Sequence, residues 1–182
     1  MRRLRGSPRR PRWIIATTLL AISCVTTTAE AETASAALVK AAFLYNFAKF
    51  TEWPADVLPP GQRLVLCVVG DSGVADALSQ TIKGHAIEGH ELSMQVIKID
   101  GARGCHLVYV TGGDAKRATA ALRTEPILTV SDADRFAESG GVAQLVVEND
   151  RIRFNINVMA ADRARLHLSS KLLSLARLVK DE

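Results

Sequence analysis

The 182-residue chain carries 23 basic and 19 acidic side chains, a formal net charge of +4, and is 48% hydrophobic. A positive balance invites a nucleic-acid reading, but Arg2, Arg3, Arg5, Arg9, Arg10 and Arg12 all lie ahead of an apolar run from Trp13 to Val25 and the triplet Ala29-Glu30-Ala31. That order is a secretory leader, with charged, apolar and small-x-small parts.

The apolar run falls short of the about 20 residues of a membrane span. The expectation is therefore a signal peptide over residues 1–31, cleaved after Ala31, and a single domain over residues 32–182. Without the leader, 17 basic and 18 acidic residues remain, a net charge of −1, and the electrostatic case for a nucleic-acid partner is gone. A lipid on Cys24 is an alternative, but Ala21-Ile22-Ser23-Cys24 lacks the leucine preferred three residues before the cysteine. The secreted part keeps Cys67 and Cys105, which in an oxidising compartment either pair or stay as two buried free thiols. About 150 residues suffice for one core, and no repeat or Gly/Ser-rich linker divides them.

The first element is an aromatic-rich helix, "LVKAAFLYNFAKFTEWP", predicted to end at Trp53 because Pro54 disfavours continuation. At 100° per residue, Val39, Phe43, Phe47 and Phe50 share an apolar face opposite Asn46, Lys49 and Glu52. Tyr45 and Trp53 fall on the polar side, where they either pack beneath a neighbouring loop or anchor a protein contact.

After the Pro59-Pro60-Gly61 turn, "RLVLCVVG" reads as a strand buried on both faces, followed by a helix in "VADALSQTI". "ELSMQVIKID" alternates as a strand, "CHLVYVT" is another buried strand, "DAKRATAALR" a helix and "PILTVSD" a further strand. This alternation predicts an α/β fold with a mostly parallel sheet flanked by helices. The rhythm then changes. "GVAQLVVE" and "RIRFNINV" flank Asn149-Asp150 as an antiparallel hairpin, and "SSKLLSLARLV" places Leu172, Leu175, Ala176 and Val179 on one stripe of a terminal helix capped by Ser169 or Ser170.

Chemistry is then tested against this layout. Gly70-Asp71-Ser72-Gly73 spells a serine-nucleophile signature, yet the helix that follows and the missing Gly-x-Ser-x-Gly spacing argue against both protease and esterase forms. His106 and His167 are candidate bases, yet nothing in the sequence pairs either with Ser72, so Asp71 and Ser72 read as a turn and helix cap. A phosphate loop lacks the Walker lysine and the three-glycine fingerprint. His90-Glu91 begins like a zinc motif, but Met94 stands where its second histidine is required, and His85 has no third donor. Asp132 and Asp134 are read as helix N-terminal charges. The expectation is no catalytic residue, no metal and no cofactor.

Six segments, "KAAFLYNFAKFTEWP", "LCVVGD", "GCHLVYV", "ILTVSD", "FAESGGVAQLVVENDRIRFNINV" and "LHLSSKLLSLARLV", occur in the order found in the YfiR family of periplasmic proteins, which the chain resembles over nearly all of residues 32–182. The resemblance implies a non-enzymatic periplasmic repressor that binds the periplasmic domain of a membrane-bound diguanylate cyclase, lowers cyclic di-GMP, and tends to form homodimers. It also implies a disulfide between Cys67 and Cys105. A second cysteine pair of some members has no counterpart near residues 141–152, which puts redox control through such a bond in doubt here. Candidate partner-binding residues are Tyr45, Lys49 and Trp53 on the first helix, and Arg151, Arg153, Asn155 and Asn157 on one period-two face of the last hairpin strand. The alternative function is a periplasmic sensor that binds a small molecule in a strand-end crevice.

Overall fold

A computed structural model describes residues 27–149 and 151–180. The readings made on residues 1–26, Cys24 included, and on Asp150 lie outside them. The apolar runs become the central strands, β2 (Leu64–Val69), β5 (Leu107–Val110) and β6 (Leu128–Ser131), all almost wholly buried. Burial on both faces is what a sheet with helices on both sides requires. β2 lies parallel to β4 (His90–Val96) on one side and to β5 on the other, β5 is parallel to β6, and β6 to β7 (Ala143–Glu148). The chain therefore winds one way from β2 to β4 and the other way from β2 through β5 to β7, so the topological switch falls between β2 and β5.

Short strands extend this sheet to eight. β3 (Ala86–Ile87) pairs antiparallel with β4, β8 (Arg151–Asn157) antiparallel with β7, and β10 (Arg177–Val179) parallel with β8. Glu148 faces Arg151 across the hairpin, and Asn149 takes the left-handed φ of 50° that such a tight turn uses. A separate ribbon joins β1 (Thr51–Glu52) to β9 (His167–Leu168).

One face of the sheet is covered by α1 (Thr27–Lys49) and α2 (Ser72–Ile82), which pack with Leu66, Val68, Leu107, Tyr109, Val130 and Phe154 into the larger core. α3 (Ala115–Leu122) and the loop carrying Phe136 cover the other face, over Cys67, Val69, Val108 and Val110. Gly141 lies against the Phe136 ring so closely that a Cβ there would overlap it. α4 (Val158–Arg163) and α5 (Ser170–Leu173) lead to β9 and β10. Among the described residues no helix is long and apolar enough to cross a membrane.

Four expectations are corrected by long-range pairing. α1 ends at Lys49, four residues before Trp53, because Thr51 and Glu52 pair with Leu168 and His167 instead of continuing the helix. Its fully buried stripe is Ala41, Leu44, Phe47 and Ala48; of the expected face, Phe47 is in it and Phe43 and Phe50 pack partly buried against the same core, but Val39 is 41% exposed. The terminal helix is only the four residues of α5, capped by Ser169 Oγ, which accepts the Leu172 N–H at 3.2 Å. The rest of that segment becomes β10 because β8 offers it a free edge, and backbone pairing outweighs a weak helical preference.

The last correction concerns the face of β8. Arg151 and Arg153 are exposed, but Asn155 and Asn157 are buried. Asn157 donates from Nδ2 to the Ala137 carbonyl at 2.7 Å and accepts the Ala160 N–H at 2.9 Å as the cap of α4. The loop between β6 and β7 thus covers the half of this strand face that alternation alone leaves to solvent.

Candidate functional site

Two constellations sit at opposite ends of β2 and β5. At the carboxyl ends, Gly70 turns the chain with a φ of +82°, and a Cβ there would lie 2.6 Å from Thr111 Oγ1 at the end of β5. Asp71 follows as the cap of α2, its Oδ1 accepting the Val74 N–H at 2.9 Å. Asp132, just beyond β6, accepts two donors on one oxygen: Lys40 Nζ of α1 at 2.6 Å and the Tyr109 hydroxyl at 3.0 Å. It is an ion-pair partner to α1, not a helix N-terminal charge as expected, and Asp134 is likewise outside any helix.

Lys40 also stands 5.8 Å from the centre of the Tyr109 ring. The ring is fully buried. Burial above all, then the charge and hydrogen bond of Asp132 and the charge of Asp71, hold the phenol far above its ordinary range, so it acts as a neutral donor. Lys40 and Asp71 line a crevice of ≈ 670 Å³ between α1 and α2, together with Ala34, Ala37, Val74 and Ala77. A mainly apolar crevice bordered by a few polar groups is a form that ligand sites take.

Toward the amino ends, Cys67 in the middle of β2 is joined by a disulfide to Cys105 just before β5, with Cα atoms 6.0 Å apart. Both residues are buried among Ile99, Ala102 and Val108. The next residue, His106, is 3% exposed. It exchanges two bonds with Val65: its backbone N–H donates to the Val65 carbonyl at 2.8 Å, and its Nδ1 accepts the Val65 N–H at 3.0 Å. Trp53 closes over it, donating from Nε1 to the His106 carbonyl at 3.1 Å with the two rings edge to face at 6.1 Å. Burial lowers the imidazole's affinity for a proton, partly opposed by a hydrogen bond with the Val57 backbone and assisted by His90.

The other sequence candidates are dispersed. Tyr45 is half-buried with its ring against His85 at 5.6 Å, and Lys49 is exposed above the Phe50 ring. Ser72 is exposed at the first position of α2. Each histidine is engaged elsewhere: His85 with Tyr45, His90 with the Gln62 carbonyl at 2.7 Å, His106 with Val65, and His167 in the ribbon beside Glu52. Among the described residues, no group of three metal-ligating side chains converges. Sequence reasoning missed Lys40 and Tyr109. Their signal was faint: a lysine on an otherwise apolar helix stripe and a tyrosine inside a buried strand, partners to a residue up to 92 positions away.

The architecture defines a doubly wound α/β protein with one buried disulfide across its central strands and polar groups gathered at both ends of the switch. The model of the DUF4154 family, described as YfiR/HmsC-like, matches residues 37–177, and the chain belongs to that family. No curated protein matches the chain. Among solved structures it is similar to a conserved domain protein from Vibrio cholerae O1 biovar El Tor str. N16961, at 15% identity and a TM-score of 0.46, over 69% of this chain and 57% of that one. The chain thus spans a little over half of that protein's length.

Proposed function

We propose that this protein is a periplasmic regulator that acts by binding: it docks on the periplasmic domain of an inner-membrane diguanylate cyclase and restrains cyclic di-GMP synthesis. The observation that carries this reading is membership of the YfiR/HmsC-like family across residues 37–177, a span that takes in β1 to β9, the larger part of α1, α2 to α5 and the disulfide. A buried disulfide is in keeping with an oxidising compartment. The exposed candidates for the docking surface are Lys49 and the Arg151–Arg153 side of β8, with the half-buried rings of Tyr45 and Trp53 at their flanks.

Binding of this kind works through differential affinity: a repressor that favours the inactive cyclase shifts its population by that difference and no more. Because the bond between Cys67 and Cys105 favours the folded form, reduction lowers the competent population. The test is capture of the cyclase periplasmic domain by the oxidised and the reduced protein. Capture that falls on reduction supports the scheme, and absence of capture in both states rejects it. A second reading, a sensor for a small molecule, is favoured by the crevice beside Lys40 and Asp71. A thermal-shift screen in which Lys40→Ala abolishes a ligand's effect would select it.

A further inference from the structure

The segment between α1 and β2 meets the amino ends of β2 and β5 at one buried imidazole. Residues 50–63 carry Trp53, whose indole N–H bonds to the His106 carbonyl, and Val57, whose backbone bonds to the His106 ring. They end beside Val65, whose N–H is accepted by His106 Nδ1. In the neutral ring with its proton on Nε2, Nδ1 has a lone pair for that N–H. In the imidazolium both nitrogens are donors, and two N–H groups then meet head on inside the protein, where water is not at hand to separate them.

We propose that His106 is a proton-operated latch: uptake of one proton on Nδ1 breaks its bond from Val65, so the ring must move off the amino end of β2 and shift the Trp53 ring packed edge-on against it. The step is balanced by a single proton taken from solvent and needs no other reactant. It is independent of which partner or ligand the protein binds. The charged groups on the elements packed around the ring are His90 and Glu91 on β4, Arg63 before β2, Arg103 and Glu125 before β5 and β6, and on the 50–63 segment itself the exposed Glu52 and Asp56, the latter paired to Arg165. Arg63 is paired to Glu91 with both exposed, and the exposed Arg103 to a half-buried Glu125. His90 is the charge that acts on the ring, and it opposes protonation. No carboxylate among these groups holds the imidazolium in place, so the latch opens on the acid side of 6.5, the ordinary histidine value.

The sequence supplies its own probe, since Trp53 is one of two tryptophans and the other, Trp13, lies in the leader. Tryptophan emission of the chain is followed from pH 7.5 to 5, with the Trp53→Phe chain subtracted so that the difference reports Trp53 alone. The expected result is one reversible red shift with its midpoint below pH 6.5, absent in His106→Gln and present, at a somewhat higher pH, in His90→Gln. A flat difference signal, or the same transition persisting in His106→Gln, overturns the latch. Should His106→Gln fail to fold, histidine NMR on the unaltered chain decides. A neutral Nε2–H tautomer at pH 7.5 that titrates below 6.5 supports the proposal, and an Nδ1–H tautomer or a midpoint at or above 6.5 rejects it.

Discussion

The two ends of β2 and β5 are closed by opposite chemistry. At the amino ends a buried neutral imidazole and a buried disulfide, with a half-buried indole over them, hold the layers together. At the carboxyl ends an ion pair whose side chains are 21% and 31% exposed does the same work beside an open crevice. The difference teaches that one sheet can carry two separately tunable clasps. The first fails when a proton arrives, the second when a proton leaves Tyr109 or when salt screens Lys40 from Asp132.

The comparison can be broken most severely at the bond. Replacing Cys67 and Cys105 by serine opens a loop of 38 residues, and the chain-entropy cost is about 3–4 kcal/mol, read as a lower urea midpoint that reductant reproduces in the unaltered chain. Next comes His106→Ala, which leaves the Val65 N–H buried without its acceptor and should cost about 1–3 kcal/mol at pH 7.5.

The pH limbs sharpen the contrast further. The folded-state value of His106 is depressed, so its stabilisation is complete above pH 6.5 and is lost as pH falls through the folded value. The loss is about 1.4 kcal/mol for each unit of depression. Tyr109 is displaced upwards, so its contribution is complete below pH 10.0 and fades as pH rises beyond it. Denaturant midpoints measured from pH 5 to 11 should therefore show an acid limb removed by His106→Gln and an alkaline limb removed by Tyr109→Phe. Smaller still is Lys40→Ala. A partly exposed pair contributes about 1 kcal/mol or less, and the effect should shrink when the salt concentration is raised to 1 M. Smallest in stability, within about 0.5 kcal/mol, are Arg151→Ala and Arg153→Ala, whose value as tests lies in cyclase capture.

Much of the layout was legible in the chain. The continuous apolar runs that became β2, β5 and β6, the helical spacing of α2 and the tight turn at Asn149 depend on local pattern, and each formed where the sequence put it. What escaped depends on partners far away. Thr51 and Glu52 look like helix until Leu168 and His167 are beside them, and Arg177–Val179 look like helix until β8 offers an edge. Asn155 and Asn157 look solvated because period-two alternation says which residues share a face, not whether a loop will cover it. The candidate sites were harder to read than the fold, for the same reason. Asp132 acquires its role from Lys40 and Tyr109, and Trp53 from His106, pairings that no local rule encodes.

The bond between Cys67 and Cys105 also makes a closed cassette of everything between them, including α2, β3, β4 and the exposed Glu88-Gly89 turn that joins the last two. A protease that nicks that turn would cut the polypeptide without separating it: the two pieces stay covalently joined, and β4 keeps its place beside β2. Outside the cassette, at the β7–β8 hairpin tip, one cut divides the molecule into two unlinked chains. In a compartment patrolled by proteases, the half of the sheet built around the switch point is the half that survives a single wound.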